Sequence, residues 1–177
     1  FKSSSTDIRN ALSRIKVISE TDELTGIYNV RAFTALANRT HKQSQRYRQP
    51  YSIVMIDSDS LKSVNDTHGH EAGNRLLKLT VRCTQQTLRE TDVFARFGGD
   101  EFVLVLRESV DQALERLEQL RRALALNLQL GSIAVQVRYS AGVVDALADY
   151  GVVLDPYGEP DLAATAAARL AAREVRA

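Results

Sequence analysis

The sequence predicts an α/β or α+β fold with an antiparallel element, and three observations support this prediction. Residues 51–56 form a short, continuous apolar run, which is typical of a buried central strand. Two β-rich runs, residues 93–97 and 102–106, flank a Gly-Gly-Asp-Glu segment and predict a β-hairpin. Helical stretches separate these strands along the chain. At 177 residues, the chain is long enough for one domain with a substantial core.

Further elements follow from apolar spacing and from breaker residues such as Pro50. Helices are predicted at residues 30–48, 71–88, 109–130 and, with an alanine-rich composition, 161–175, and a further strand at residues 133–144 with a break near Arg138.

Residues 1–21 are predicted to form a helical lead-in to the domain at residues 22–177. Ile8, Leu12, Ile15 and Ser19 follow a 4-3-4 spacing. This spacing fits either the end of a coiled-coil stalk or a single helix packed on its own domain. Because the chain starts with Phe1 rather than Met, we expect a fragment whose upstream sensory or membrane portion has been removed.

Composition narrows the class of protein and its cellular compartment. A hydrophobic content of 44%, a charged content of 25% and a net charge of +1 indicate a globular protein with no electrostatic preference for nucleic acid. The single cysteine, Cys83, cannot form an intrachain disulfide and is expected to be a packing residue. A cytoplasmic location is therefore expected, including the cytoplasmic part of a membrane-anchored protein.

The first candidate for a functional site follows the apolar run. Asp57 and Asp59 come directly after it, with Lys62 within one further turn. The carboxyl ends of strands are where α/β folds place ligands, and Mg²⁺ takes one or two carboxylates together with substrate phosphates. Alone, this segment is as typical of a solvated loop or a helix cap as of a metal site.

The second candidate is the segment Gly98-Gly99-Asp100-Glu101. Its glycines permit a positive φ and a close approach of the backbone to a ligand. Adjacent carboxylates repel each other unless a cation compensates, although a plain turn with exposed acids is the alternative. Taken together, the two segments favour acids converging on one or two Mg²⁺ ions, which suits in-line attack on phosphorus.

These segments and others in the same order resemble the GGDEF family of diguanylate cyclases. Residues 98–102 spell the signature Gly-Gly-Asp-Glu-Phe. Residues 22–31 resemble the family's Asp-x-Leu-Thr-Gly entrance, residues 57–66 its Asp-x-Asp-x-Phe-Lys segment, and residues 140–143 its Ser-x-Gly-Val strand. The resemblance implies a nucleotidyl-cyclase-like fold, in which helices surround a central, mostly antiparallel sheet and the signature lies on a β-hairpin.

The resemblance also implies an activity, the condensation of two GTP molecules into cyclic di-GMP by a homodimer with Mg²⁺ or Mn²⁺. It assigns metal binding to Asp57, the Ser58 carbonyl, Asp100 and Glu101, and catalysis to Asp100, Glu101 and Lys62. It assigns substrate binding to Ser60, Leu61 and Lys62 at the phosphates, to Asn65 and Asn74 at the guanine, and to the Gly98–Gly99 turn.

Arg89 and Asp92 match a further family feature, the site at which cyclic di-GMP inhibits its own synthesis. An arginine can grip guanine edges and phosphate, and a carboxylate can accept hydrogen bonds from guanine N–H groups. The alternative is an ordinary surface ion pair at a helix end.

Two departures from the family pattern affect the expected substrate contacts. Asn74 replaces an aspartate, and an amide accepts hydrogen bonds at only one atom, so we expect either relaxed purine selectivity, with some use of ATP, or a tolerated exchange. The C-terminal lysine and arginine of the family are replaced by Arg169 and Arg173, or by Arg173 and Arg176. These arginines contact phosphate or lie on a solvated helix face.

Two rival functions remain: a catalytically degenerate receptor that binds cyclic di-GMP through Arg89 and Asp92, and a GTP-binding regulatory dimerisation module. The intact acids Asp57, Asp100 and Glu101 argue against both rivals.

Overall fold

The computed structural model describes residues 20–58, 60–127, 129–130, 133–134, 139–145, 153–154 and 160–161. The helices are α1 (Val30–Tyr47), α2 (Leu61–His68), α3 (His70–Thr87) and α4 (Val110–Asn127), and the main strands are β1 (Ser52–Ser58), β2 (Val93–Arg96), β3 (Glu101–Leu106) and β6 (Tyr139–Asp145). Two short pairs are formed by β4 (Gln129–Leu130) with β5 (Ile133–Ala134) and by β7 (Val153–Leu154) with β8 (Pro160–Asp161).

The central sheet has the strand order β2-β3-β1-β6, and each neighbouring pair is antiparallel. Strands β2 and β3 form the predicted hairpin, and β1 is the predicted apolar strand at the centre. The expected α+β fold with a mostly antiparallel sheet is confirmed.

Helices cover both faces of the sheet. Since side chains alternate between the two faces of a strand, successive residues of β1 pack against different helices. Ile53 and Met55 of β1 pack in one cluster with Phe33 of α1. Val54 and Ile56 of the same strand pack in a second cluster that includes the buried residues of α3 and α4. The sheet therefore lies between α1 on one side and α3 with α4 on the other. Cys83 is a buried free thiol in the second cluster, as predicted.

Helix α1 has the predicted extent for identifiable reasons. The side chain of Asn29 accepts a hydrogen bond from the amide of Ala32, which caps the amino-terminal end. Arg48 closes the helix in a left-handed conformation at φ 51°, shortly before Pro50.

Helix α2 was not predicted, because its eight residues bury only the apolar side chain of Val64 and therefore show no helical periodicity. The predicted helix start at Asp161 is wrong, since Asp161 pairs with Val153 in a strand. Residues 1–19 and 162–177, with the predicted lead-in and most of the alanine-rich helix, lie outside the described residues, as does Arg138. None of the described helices has the length and apolar character needed to cross a bilayer.

Candidate active site

The two predicted acidic segments meet at one end of the two central strands, where β1 ends and β3 begins. In the antiparallel register of β1 and β3, Asp57 lies directly opposite Glu101. The amide of Ser58 donates a hydrogen bond of 3.1 Å to the carbonyl of Asp100. Residues directly opposite in such a pair project to the same face, so Asp57 and Glu101 lie on the face that α1 covers. The predicted convergence of these segments is confirmed at the level of the backbone.

The immediate surroundings of these acids are polar and only partly closed to solvent. Asp57, Asp100 and Glu101 are half-buried, whereas Ser58 is buried and its Oγ has no hydrogen-bond partner among the described residues. Neither Asp100 nor Glu101 has a basic side chain within ion-pair distance in the part of the chain that the structure describes. Each of these two carboxylates is therefore available to a ligand.

The donor set fits a hard divalent cation. Carboxylate and backbone carbonyl oxygens are preferred ligands of Mg²⁺, which commonly takes one or two protein carboxylates and completes its shell with substrate phosphates and water. Within the described ranges, no three histidine, cysteine, aspartate or glutamate side chains already form a metal cluster. The residues present therefore suit a hard divalent cation that takes only one or two protein carboxylates.

The diglycine turn closes through the main chain. The amides of Phe97 and Gly98 donate to the carbonyl of Glu101, at 2.8 and 3.3 Å. Neither glycine adopts the positive φ that it permits, since Gly26 and Gly69 are the glycines with positive φ among the described residues. A Cβ atom at Gly98 would instead lie 2.6 Å from Glu101 Oε2, whereas one at Gly99 would meet nothing within 4 Å. A side chain at position 98 would therefore displace the Glu101 carboxylate from its present position.

Arg96, the last residue of β2, bonds this turn through its side chain. Its Nε donates to the carbonyl of Gly98 at 3.0 Å, and its Nη2 to the carbonyl of Gly99 at 2.7 Å. Its Nη1 lies 3.2 Å from Asp22 Oδ1 and 3.3 Å from Asp22 Oδ2. A planar guanidinium can hold several acceptors in a fixed geometry, so Arg96 is a positioning residue for the adjoining acids.

Asp22 is fixed in turn by its own loop. Its Oδ1 accepts hydrogen bonds from the amide and the hydroxyl of Thr25, at 2.9 and 2.6 Å. Burial alone raises the pKa of Asp22, but the bonds from Thr25 and Arg96 outweigh it and hold that pKa below its ordinary value. Our sequence analysis missed the positioning roles of Asp22 and Arg96. The entrance motif contained Asp22, but nothing in the sequence identified a partner 74 positions away.

The entrance loop, residues 22–29 before α1, is also hydrogen-bonded to the sheet. The amide of Arg96 donates to the carbonyl of Tyr28 at 2.9 Å, and the amide of Tyr28 donates to the carbonyl of Phe94. Tyr28 therefore forms an isolated parallel bridge with Ala95 of β2. The segment that leads into α1 thus shares its anchor with the hairpin that carries the diglycine turn.

The predicted phosphate-binding residues lie at the amino-terminal end of α2, immediately beyond the acidic strand end. Ser60 is the buried N-cap residue, and Leu61 and Lys62 are the first two helical residues, with Lys62 exposed. The first amides of a helix have no intrahelical acceptors and attract anions. Asp59 lies outside the described residues.

The two predicted guanine-binding residues lie close together across α2 and α3. A Cβ atom at Gly73 would lie 2.0 Å from Asn65 Oδ1, so the side chain of Asn65 packs directly on the backbone of α3. Asn74 is the next residue of that helix and is exposed. Gly73 therefore makes room for Asn65 beside Asn74.

Arg89 and Asp92 lie at the opposite end of the hairpin. The amide of Arg89 donates to Asp92 Oδ2 at 2.8 Å, and the guanidinium of Arg116 on α4 bonds the same oxygen. Arg116 also donates to Glu108 Oε2 at 2.6 Å. Our sequence analysis missed Glu108 and Arg116, because both contacts depend on how α4 packs. Arg169, Arg173 and Arg176 lie outside the described residues.

The fold is that of a nucleotidyl-cyclase-like domain, and comparisons with known proteins identify its family. The sequence pattern of the family described as diguanylate cyclase, GGDEF domain, matches residues 19–167. The chain is 34% identical over 134 residues to the probable diguanylate cyclase DgcC of Escherichia coli K12, which covers 73% of this chain and 35% of that protein. This chain therefore belongs to the GGDEF family, and it spans about a third of that relative's length.

Solved structures agree with this assignment. Diguanylate cyclase SiaD of Pseudomonas aeruginosa, solved in complex with its activator SiaC, superposes with a TM-score of 0.73 at 31% identity and covers 97% of this chain and 64% of its own. The GGDEF domain of DgcB from Caulobacter crescentus, solved in complex with c-di-GMP, has a TM-score of 0.66 at 25% identity and covers 71% of this chain and 74% of its own.

Proposed function

We propose that this domain condenses two molecules of GTP into cyclic di-GMP, with release of pyrophosphate, as a homodimer that uses Mg²⁺. The single observation that carries the proposal is the register that sets Asp57 opposite Glu101, together with the hydrogen bond from Ser58 to Asp100. It brings oxygen donors from two distant segments to one sheet edge beside a helix amino terminus. Such an edge suits a metal–triphosphate complex.

Each part of the substrate has a matching group in this arrangement. Asp57, the Ser58 carbonyl, Asp100 and Glu101 would hold Mg²⁺, which neutralises charge on the phosphates when bound. The amides at the start of α2, with Lys62, bind the phosphates. Asn65 and Asn74 contact the guanine through their amides.

The reaction needs two domains that face each other. The 3′-hydroxyl of each GTP attacks the α-phosphorus of the other, a new P–O bond forms, and the bond to pyrophosphate breaks. Glu101 supports removal of the hydroxyl proton, and Lys62 balances charge on the leaving group. The protein's contribution is then mostly positioning and electrostatic stabilisation. Because GTP is the substrate and Cys83 is a free thiol, we assign the domain to the cytoplasm.

The test is direct. Purified protein is incubated with GTP and Mg²⁺, and pyrophosphate and cyclic di-GMP are measured. Asp100→Ala should reduce product formation at least about a hundredfold while leaving the fold intact, because it removes a metal-binding oxygen donor. Glu115→Gln, which neutralises an exposed acid on α4, is the matched control and should retain activity. A folded dimer that leaves GTP unchanged with Mg²⁺ or Mn²⁺ would instead favour the receptor or regulatory module.

Base selectivity is tested in the same assay. Incubation with GTP, with ATP and with both nucleotides reports whether Asn74 relaxes guanine recognition. Mixed cyclic dinucleotides would show relaxed selectivity, whereas strict use of GTP with an ordinary KM would show that the exchange is tolerated.

A further inference from the structure

The charged groups of the expected product site are already engaged with other side chains of this protein. Asp92 Oδ2 accepts bonds from the amide of Arg89 and the guanidinium of Arg116. The second terminal nitrogen of that guanidinium donates to Glu108 Oε2 at 2.6 Å, and this oxygen lies 3.5 Å from Arg89 Nη1. Two acids and two arginines thus form one connected group, which we call the arginine–acid network (Arg89, Asp92, Glu108 and Arg116).

Burial divides the network unequally. The side chain of Arg89 is 66% exposed. The side chains of Asp92 and Arg116, by contrast, are only 1% and 10% exposed. Solvent, and therefore a ligand, reaches the guanidinium of Arg89 but not the carboxylate of Asp92.

A guanine base needs that carboxylate as the acceptor for its N–H donors. To reach it, the base would have to displace Arg116, which would leave a buried guanidinium and the buried Glu108 with poorer partners. Separating one member of a buried ion pair is costly, because the remaining charge is not resolvated. Glu108 Oε1 already lacks a hydrogen-bond partner among the described residues, so a second loss at Glu108 would be poorly compensated.

The geometry points to Arg116 as the residue that sets how tightly the Arg89–Asp92 site binds cyclic di-GMP. Arg116 occupies Asp92 from within the protein and keeps the affinity for this ligand low, so that feedback by product is weak. This inference rests on the proposed function, since product inhibition matters only for an enzyme that makes cyclic di-GMP.

The test is calorimetric titration of the purified protein with added cyclic di-GMP. Glu108→Gln/Arg116→Gln replaces the inner pair by two amides that can bond each other, so it frees Asp92, which keeps the bond from the Arg89 amide, without leaving Glu108 charged and unpaired. This variant should bind cyclic di-GMP about tenfold or more tightly than the wild type, the effect of regaining a charge-assisted hydrogen bond. Adding Asp92→Asn to it should remove the gain.

Two further variants keep the test decisive. Arg116→Lys retains the charge but cannot bond both acids in a fork, so it should fold and show an intermediate gain in affinity. Arg122→Gln, which removes an exposed ion pair with Glu118 on the same helix, should bind as the wild type does. Melting curves establish that each variant is folded.

The inference is overturned if the wild type binds as tightly as the double variant and loses affinity on Asp92→Asn. It is equally overturned if the folded double variant and Arg116→Lys gain nothing. Because ligand is added and no turnover is needed, an inactive domain would still give a result. Failure of the proposed cyclase activity is therefore distinguishable from failure of this inference.

Discussion

The two ends of the β2–β3 hairpin carry acids in opposite electrostatic situations. At the turn end, Asp100 and Glu101 are half-buried and have no basic partner among the described residues. At the other end, Asp92 and Glu108 are almost fully buried, and both bond Arg116. The six residues of β3 separate these ends by roughly 17 Å.

This difference shows that the acids available to a ligand are those that no arginine in the described part of the chain already bonds. Buried carboxylates need compensation by partners within the protein, and the far end supplies it with arginines. The turn end instead restrains its main chain through Arg96 and keeps its carboxylates available. A single hairpin therefore combines a structural charge cluster with a site that is suited to bind a cation.

The largest effect is expected from breaking the far end. Arg116→Ala leaves Glu108 and Asp92 buried without their arginine, and we expect a loss of about 3–5 kcal/mol in the free energy of unfolding. Urea denaturation measures this loss. The matched change Arg122→Ala, on the exposed face of α4, should have little effect. Equal stability of Arg116→Ala and wild type would show that the network contributes nothing.

At the turn end, the two glycines should differ sharply. Gly98→Ala places a methyl group 2.6 Å from Glu101 Oε2, so the carboxylate must move. We expect kcat to fall about a hundredfold, because a displaced catalytic group loses its productive geometry. Gly99→Ala meets no neighbour within 4 Å and should stay within a few-fold of wild type. Steady-state kinetics compare the two variants, and similar losses in both would argue against a positional role for Glu101.

Weakening the bonds from Arg96 to the diglycine turn and to Asp22 should have a smaller effect. Arg96→Lys keeps the charge but cannot bond Gly98, Gly99 and Asp22 together, so we expect kcat to fall about tenfold with little change in KM. A rise in KM with unchanged kcat would show that Arg96 serves substrate binding rather than positioning of the acids. Melting temperatures control for a loss of fold.

The smallest effect is expected in the pH dependence of the stability that the Asp22–Arg96 ion pair contributes. Because the pKa of Asp22 is held below its ordinary value, its ionised form contributes stability that is present above the unfolded pKa of about 4 and is lost as pH falls through the folded pKa. The difference in melting temperature between wild type and Asp22→Asn should therefore be constant near neutrality and shrink below about pH 4. A difference that grows on acidification would contradict this linkage.

The sequence predicted what local pattern determines and missed what packing determines. The apolar run of β1 and the hairpin had clear signals, and the two acidic segments were correctly expected to meet. Helix α2 had no such signal, because only Val64 is buried. The bonds of Arg116 to Asp92 and of Arg96 to Asp22 span 24 and 74 positions, so no spacing rule could identify these partners.

The bridge between Tyr28 and Ala95 has a mechanical consequence. Force applied to the backbone just before Glu20 is transmitted through Thr21 and Tyr28, which pair with each other, into β2. That strand ends at Arg96, one residue before the turn. A displacement of this segment would therefore reach β2 through main-chain pairing, next to the arginine that bonds the carbonyls of the diglycine turn.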